Sequence, residues 1–385
     1  MGSLAVFISC SEAKQVAELK KFLKTHGAKS LEASEVRPDN WLDEFRKCIQ
    51  HLKICWKDEG INETDVNDVL TTVASLVIQY PPDKLEGIVD LLCTEYLDFS
   101  GENTRKHKSK LFSLNLIFHG LTPESHCKCG VYLTLVSCAK ACGLLQQIIT
   151  EPTKVASWLS KCRCSTEERQ QVWRKLYETH AEMKEDRRAT EALVYLLSTY
   201  TEETAAQARQ DAIRCIISVI QDPSLLAHDQ LYALRPIQFL EGEPVHDFFK
   251  IFVSGNLSTF RSFLSQHPDF LTQNGLDEEA CLHKLRLLTL MQISENQTEI
   301  SYDAAVRELE LSKEELEPFI IEAVRQRAVA CKLDQVQHRI LITGAFPRTF
   351  GRQQWINLHE TLMQWHAGLR TVQSSIGSMI QAEST

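Results

Sequence analysis

The segment that decides the fold is residues 299–343, EISYDAAVRELELSKEELEPFIIEAVRQRAVACKLDQVQHRILIT. It begins with a short extended stretch, Glu299–Ser301, which leads into a predicted helix from Tyr302 to Glu310. Ser312 and Glu315 have the spacing of a capping box, in which each side chain bonds the backbone N–H of the other residue. This box predicts the start of a further helix, whose apolar residues recur at helical spacing: Leu316, Phe319, Ile320, Ala323 and Val324.

After that helix, the apolar spacing changes from helical to alternating, which is typical of β-strands. The alternation occurs in two runs: Val329, Cys331 and Leu333, then Ile340 and Ile342. A predicted helix over Glu278–Ile293 precedes the whole segment. Three helices, a short strand and a terminal β-hairpin together predict a winged helix at about residues 276–345.

Upstream of the winged helix, the sequence is dominated by helical spacing. No glycine occurs between Gly143 and Gly242, and prolines are few there, so continuous helix is favoured. The apolar residues fall into short groups of similar length, separated by polar breaks such as Asp222-Pro223. This pattern predicts an all-α solenoid of stacked helical hairpins, although it contains no strict repeat consensus.

Downstream of the winged helix, large apolar residues recur at alternating steps of three and four, which is the a/d pattern of a heptad helix. We call the following residues the apolar stripe: Trp355, Leu358, Leu362, Trp365, Leu369, Val372, Ile376 and Met379. The flanking positions, among them His359, His366 and Gly368, lack the opposite charges that join a self-sufficient coiled coil. We therefore predict one strand of a helical bundle shared with other proteins. The alternative, a helix folded back on its own domain, stays open.

The length and charge of the chain limit the classes of function. With 385 residues and 43% hydrophobic content, the chain can form two or three domains with a substantial hydrophobic core. Its net charge of -9 argues against a protein whose main role is to grip phosphate backbones, because that affinity comes from Lys and Arg. A local basic patch is still compatible with this charge.

The thirteen cysteines are an odd number and no secretory signal accompanies them, which favours reduced thiols in the cytosol or nucleus. Seven residues are candidate zinc ligands: His126, Cys127, Cys129, Cys138, Cys142, Cys162 and Cys164. Structural zinc usually uses paired Cys-x-x-Cys motifs, whereas this chain has Cys-x-Cys pairs and cysteines on helix faces. The sequence therefore predicts thiols rather than a metal site, and no cofactor.

Signatures of enzymes and of membrane proteins do not occur in the sequence. A phosphate-binding loop, a dinucleotide turn, a zinc-protease helix and a serine nucleophile elbow are all missing. No stretch stays apolar for about 20 residues, and the run Leu4–Ser9 is too short for a signal sequence. The sequence predicts no catalysis, no small-molecule substrate and no membrane insertion.

A helical solenoid that runs without a linker into a winged helix and ends in a bundle helix resembles the PCI domain family. This module is shared by the proteasome lid, the signalosome and the third eukaryotic translation initiation factor. The resemblance is carried by the Phe-rich hairpin His246–Leu257 and by Glu299–Thr343. Four further segments are similar to the m-subunit family of initiation factor three: Ser198–Glu203, Ile237–Pro244, Leu285–Leu290 and Arg348–Trp355.

The resemblance implies a cytoplasmic, noncatalytic scaffold subunit. Family members pair edge to edge through their winged helices and build a shared bundle from their C-terminal helices, which implies other PCI and MPN subunits as partners. In the initiation factor, such an assembly helps recruit mRNA and initiator tRNA to the small ribosomal subunit. We accordingly divide the chain as follows: N-terminal segment 1–60, solenoid 61–240, PCI domain 188–347 and C-terminal bundle helix 352–385.

Two further surfaces of the winged helix are candidates for binding. The hairpin edge offers unpaired strand groups to a neighbouring subunit, unless the tail of the chain covers it. A set of basic residues is either a contact for ribosomal RNA or a solvated face: Arg325, Arg327, Lys332, Arg339 and Arg348.

Two alternative functions stay open at this point. The first is membership of another PCI assembly, the signalosome or the proteasome lid. The second is an autonomous nucleic-acid-binding winged-helix protein, which the sequence disfavours, because the helix that would enter the major groove opens with Glu314, Glu315 and Glu317.

Overall fold

The computed structural model describes residues 11–28, 31, 35–58, 60–81, 84–98, 104–226 and 229–383. For residues 104–105 and 377–383 it describes the backbone alone. The chain divides into two compact units at the step from Thr199 to Tyr200, and we call them unit 1 and unit 2. The helices of the first 60 residues therefore belong to the same compact unit as those that follow, up to residue 199.

Unit 1 is helical throughout its described part. Its α-helices are α1 (Glu12–Thr25), α2 (Trp41–Ile49), α3 (Ile54–Lys57), α4 (Glu63–Ile78), α5 (Leu85–Tyr96), α6 (Thr104–Gly120), α7 (Lys128–Cys142), α8 (Pro152–Leu159), α9 (Thr166–Glu182) and α10 (Asp186–Ser198). A 3₁₀ turn, Leu145–Gln147, separates α7 from α8.

Local signals set the ends of these helices. Gly143 takes the left-handed conformation (φ 67°) that ends α7, which a side chain would disfavour. Ser165 caps α9 in a reciprocal capping box with Glu168. The helix α9 packs along α10, and α6 packs along α7, so consecutive helices pair as the predicted hairpins.

Unit 2 continues with shorter helices before its winged helix. These are a 3₁₀ turn (Ala205–Ala208), α11 (Arg209–Gln221), α12 (Asp229–Tyr232), α13 (Arg235–Gln238), α14 (Pro244–Ser254), α15 (Leu257–Gln266) and α16 (Phe270–Gln273). The winged helix and the tail comprise α17 (Glu278–Asn296), β1 (Glu299–Ser301), α18 (Tyr302–Leu309), α19 (Lys313–Arg325), β2 (Val329–Asp334), β3 (Arg339–Ala345) and α20 (Arg352–Glu383).

The winged helix has the predicted element order. Its three strands form an antiparallel sheet in the order β1-β3-β2, so that β3 is central and β2 is an edge. The capping box of Ser312 and Glu315 starts α19, as the sequence predicted. The predicted fold class is therefore confirmed: helical hairpins, then a winged helix with a small β-hairpin, then a long C-terminal helix.

A cluster of phenylalanines forms the centre of the Phe-rich hairpin of α14 and α15. Phe248 is fully buried and its ring lies 4.9–5.9 Å from four others: Phe252, Phe260, Phe263 and Phe270. Gly255 connects the two helices, and a Cβ there would lie 2.8 Å from both the Ile251 Cα and the Thr259 Oγ1. This close approach explains why the hairpin has glycine at its turn.

Two basic side chains of α17 satisfy the last carbonyl groups of two other helices in unit 2. Lys284, 1% exposed on α17, donates to the carbonyls of Val219 at 2.5 Å and Asp222 at 2.6 Å, at the end of α11. Arg286, also on α17, donates to the carbonyls of Leu309 and Glu310, at the end of α18. A helix leaves its final carbonyls without partners, so these donors supply what the backbone lacks.

Among the residues that the structure describes, every helix is too short or too polar to cross a lipid bilayer.

Replacement of Lys284 by Met should destabilise unit 2 by about 2 kcal/mol, because it leaves buried carbonyls at the end of α11 without their donor. Burial lowers the pKa of the Lys284 amine to about 7, so removal of the buried cation offsets part of the loss. Urea denaturation of the full-length chain measures the difference.

The matched control is Lys250→Met, an exposed lysine on α14, which should change stability by less than about 0.5 kcal/mol. Equal stability of the two variants would show that Lys284 has no capping role.

Candidate partner-binding surface

The link between the winged helix and α20 is fixed by one buried arginine. Arg348 is 4% exposed, and its guanidinium donates to the carbonyls of Ile251 (2.8 Å), Phe252 (2.9 Å) and Gly255 (2.8 Å). It also donates to the side-chain oxygen of Gln292 on α17 at 2.9 Å. Arg348 therefore caps the end of α14 and ties the chain that follows β3 to two helices of unit 2.

The prediction that Arg348 contacts RNA is wrong. Its planar donors are already used by backbone carbonyls, and burial lowers the pKa of the guanidinium to about 10. A phosphate could reach this group only after the end of α14 had lost its cap.

Further contacts hold the first turn of α20 in place. The backbone N–H of Phe350 donates to the Asp229 carboxylate at 2.6 Å, and the Gln354 amide donates to Glu295 on α17 at 2.7 Å. The rings of Phe350 and Trp355 meet edge to face, with centroids 5.0 Å apart. The base of the helix is thus attached by polar contacts, while the apolar stripe begins just beyond them.

The described side chains of the apolar stripe are exposed in the isolated chain. Every residue from Trp355 to Ile376 is exposed, and Trp365 and Leu369 present 67% and 69% of their surface to solvent. The structure therefore contradicts the alternative interpretation, in which this helix folds back on its own domain. The Met379 side chain lies outside the described residues.

The apolar face is wider than the a/d pattern alone predicted. Ile356 and Met363, each one residue after a stripe position, are also exposed apolar side chains. On a helical wheel, His359 and His366 lie along one side of the apolar stripe, and Ile356 and Met363 lie next to these histidines on that same side. The apolar face is therefore wider on that side of the helix. A face of this width is suited to contact with more than one partner helix. Ile356 and Met363 could have been noticed in the sequence, but a search restricted to heptad a and d positions omits them.

The hairpin edge is the second candidate surface. Among the described strands, β2 pairs with β3 alone, and Ala330 and Lys332 on β2 are exposed. A bulge between Ala330 and Cys331 shifts the register of the β2–β3 pair. Arg348 holds the tail of the chain against α14 and α17, which are not part of this edge.

The helix α19 presents carboxylates at its start, as the sequence predicted. Glu314 and Glu315 are exposed, and Glu317 accepts hydrogen bonds from Tyr302 at 3.0 Å and Gln335 at 2.9 Å. Such a surface repels a nucleic-acid backbone.

The remaining basic candidates lie at the end of α19 and in the hairpin. Arg325, Arg327, Lys332 and Arg339 are all exposed. Arg339 forms an ion pair with Glu299 at 3.0 Å across the β1–β3 pair, which partly satisfies its charge. Contact of these residues with RNA stays a prediction.

The cysteine candidates separate into two groups. Burial raises the pKa of most of these thiols, to about 12 for Cys138, which makes them poor nucleophiles. Among the described residues, three of the seven candidates converge: Cys129, Cys162 and Cys164. Cys164 differs from the others, because hydrogen bonds from the Cys129 thiol and from Arg169 lower its pKa to about 6.

Two segments of the chain match known protein families. Residues 264–344 match the PCI domain, which covers the winged helix and the helices just before it. Residues 348–376 match the family described as eIF3 subunit M, C-terminal helix. The second match begins at Arg348 and ends at Ile376, and so includes the anchor and nearly all of the apolar stripe.

Full-length relatives extend the likeness to the rest of the chain. The eukaryotic translation initiation factor 3 subunit M of Schistosoma japonicum is 64% identical over 383 residues, covering 100% of both chains. The proteins of the same name from Mus musculus and Homo sapiens are each 37% identical over 379 residues, covering 98% of this chain and 99% of theirs.

Replacement of Arg348 by Lys should loosen the base of α20, because a lysine cannot span three carbonyls and an amide with one ammonium. We expect amide hydrogen exchange to quicken at least about tenfold in residues 251–257 and 349–356, with unit 1 unchanged.

Arg352→Lys serves as the control, since Arg352 is exposed at the first position of α20. If Arg348→Lys and Arg352→Lys exchange alike, Arg348 is not the anchor.

Proposed function

The chain belongs to the eukaryotic translation initiation factor 3 subunit M family, and on that premise we propose that it is a scaffold subunit that joins its complex mainly through α20. The observation that carries the proposal is the exposed apolar stripe, in the segment that matches the C-terminal helix of this family. We propose a noncatalytic function, in which the chain connects subunits and thereby helps to recruit mRNA and initiator tRNA to the small ribosomal subunit.

The energetics of the stripe support a shared helical bundle. A helix of 32 residues is about 48 Å long, and its apolar face in water is a large unfavourable surface. Burial of a large aromatic or leucine anchor at a well-packed interface contributes about 2 kcal/mol or more. Trp355, Leu362 and Trp365 are the anchors we infer, because their side chains are large and more than half exposed.

The edge of the winged helix supports a second contact, with a neighbouring PCI subunit. An exposed strand such as β2 can add a strand from another chain, because its outer N–H and C=O groups can pair with it. In this proposal the hairpin edge sets the order of neighbours and the bundle supplies most of the binding free energy. MPN subunits would then contact the chain through the bundle.

The two alternatives are less well supported. The names of the relatives favour translation initiation over the signalosome or the proteasome lid. The acidic start of α19 argues against an autonomous nucleic-acid-binding protein. We further propose that the chain acts in the cytoplasm, where initiation takes place, and that any RNA contact involves Arg325, Arg327, Lys332 and Arg339 at the ribosome.

The double replacement of Trp355 and Trp365 by Ala should release the chain from its complex, because it removes two anchors that together contribute about 4 kcal/mol. Co-purification of tagged full-length chain with other initiation factor 3 subunits should fall by about 100-fold or more. Far-ultraviolet circular dichroism should show nearly unchanged helical content.

The control replaces Asn357 and Gln364 by Ala, two polar residues of the same helix outside the stripe. Full retention of the complex by the tryptophan variant would contradict the proposed role of α20.

For the basic residues, we expect the triple replacement of Arg325, Arg327 and Lys332 by Gln to weaken binding of the assembled complex to small ribosomal subunits. The slope of log affinity against log salt concentration should decrease by about 2, because fewer counterions are released. Filter binding over a series of salt concentrations measures this slope.

A triple control with the same charge change carries Gln at Arg214, Lys250 and Arg261. An unchanged slope in the first variant, or an equal decrease in both, would assign the basic residues to a solvated face.

A further inference from the structure

Three cysteine side chains of unit 1 converge from two separate segments. Cys129 lies in the first turn of α7, whereas Cys162 and Cys164 lie in the turn between α8 and α9. Their three sulfur atoms all lie within 4.8 Å of one another. Cys129 and Cys162 are buried and Cys164 is half-buried, so the cluster is enclosed except on the side of Cys164.

Hydrogen bonds hold the two segments against each other. The Cys162 thiol donates to the Ser125 carbonyl at 2.9 Å, and the Arg163 N–H donates to the Glu124 carbonyl at 3.4 Å. Arg169, in the first turns of α9, donates to the Cys162 carbonyl at 3.3 Å. The turn that carries two of the sulfurs is therefore fixed beside the residues that lead into α7.

The geometry suits a metal ion better than a disulfide. Zinc–sulfur bonds of about 2.3 Å place tetrahedral sulfur ligands about 3.8 Å apart, so the three thiols need only small displacements. A disulfide would bring two sulfurs to about 2.05 Å and leave the third without a role. Among the described residues, no fourth His, Cys, Asp or Glu joins the three, which leaves one coordination position for water.

The charges around the cluster also fit a divalent cation. Three thiolates and one divalent ion carry a net charge of about -1, which is costly to bury alone. Arg169 supplies the opposite charge, because its Nε donates to the Cys164 sulfur at 3.5 Å. The buried cluster would then be close to neutral.

We propose that Cys129, Cys162 and Cys164 bind a Zn²⁺ ion, with water as the fourth ligand and Arg169 as the charge partner. The ion links the start of α7 to the turn before α9 and so stabilises unit 1. This site is independent of α20 and of the proposed role in the initiation complex.

The test is titration of the reduced, metal-free, full-length chain with Zn²⁺ alone, followed by calorimetry and by metal analysis after gel filtration. We expect one ion per chain with a Kd below about 1 µM, and a rise in melting temperature on addition of the ion. Cys162→Ser and Cys164→Ser should each weaken binding by at least about 100-fold. Arg169→Gln, which keeps all three ligands, should weaken it by about 10-fold or more.

The matched control is Cys142→Ser, a half-buried thiol at the end of α7. It should bind the ion as the unchanged chain does. Comparison of melting temperatures without metal separates a folding defect from the loss of a ligand. Three results would overturn the proposal: no stoichiometric binding by the unchanged chain, equal losses in Cys142→Ser and Cys164→Ser, or a disulfide within the cluster in protein kept under reducing conditions.

Discussion

The structure of unit 2 depends on basic side chains, buried at Lys284 and Arg348 and half-buried at Arg286, that satisfy the C-terminal carbonyls of its helices. Short helices have many ends relative to their length, and each end leaves carbonyl groups without intrahelical partners. Lys284, Arg286 and Arg348 supply donors to the ends of α11, α18 and α14. Since each donor comes from an element distant in sequence, the same contact that completes one helix also fixes another element against it.

Among these contacts, the one made by Arg348 bears most directly on the proposed function. Arg348 holds the chain that follows β3 against α14 and α17. Together with the contacts of Asp229 and Glu295, it fixes the position of the start of α20. The helix then continues with its apolar stripe exposed. A surface of this kind is unfavourable in water. In the function proposed here, Arg348 holds the start of α20 in position for contact with partner helices.

The sequence predicted the parts of the structure that local signals encode. The capping box at Ser312 and the change from helical to alternating spacing identified the winged helix almost residue by residue. The role of Arg348 could not be predicted, because burial of an arginine depends on carbonyls almost a hundred residues away. The convergence of Cys129 with Cys162 and Cys164 was missed for the same reason: the spacing rules for metal sites describe neighbours in sequence, whereas these segments meet only in the folded chain.

The proposed role of α20 requires that the isolated chain exposes its apolar stripe and that partner helices cover this stripe in the complex. Hydroxyl-radical footprinting with mass spectrometry can compare the exposure of these side chains in the monomeric chain and in the same chain inside the reconstituted complex. We expect heavy oxidation of Trp355 and Trp365 in the monomer and strong protection of both in the complex. Trp56, which is already buried, should be protected in both samples. Protection of both stripe tryptophans in the monomer, or equal oxidation in the two samples, would show that partner helices do not cover the apolar stripe.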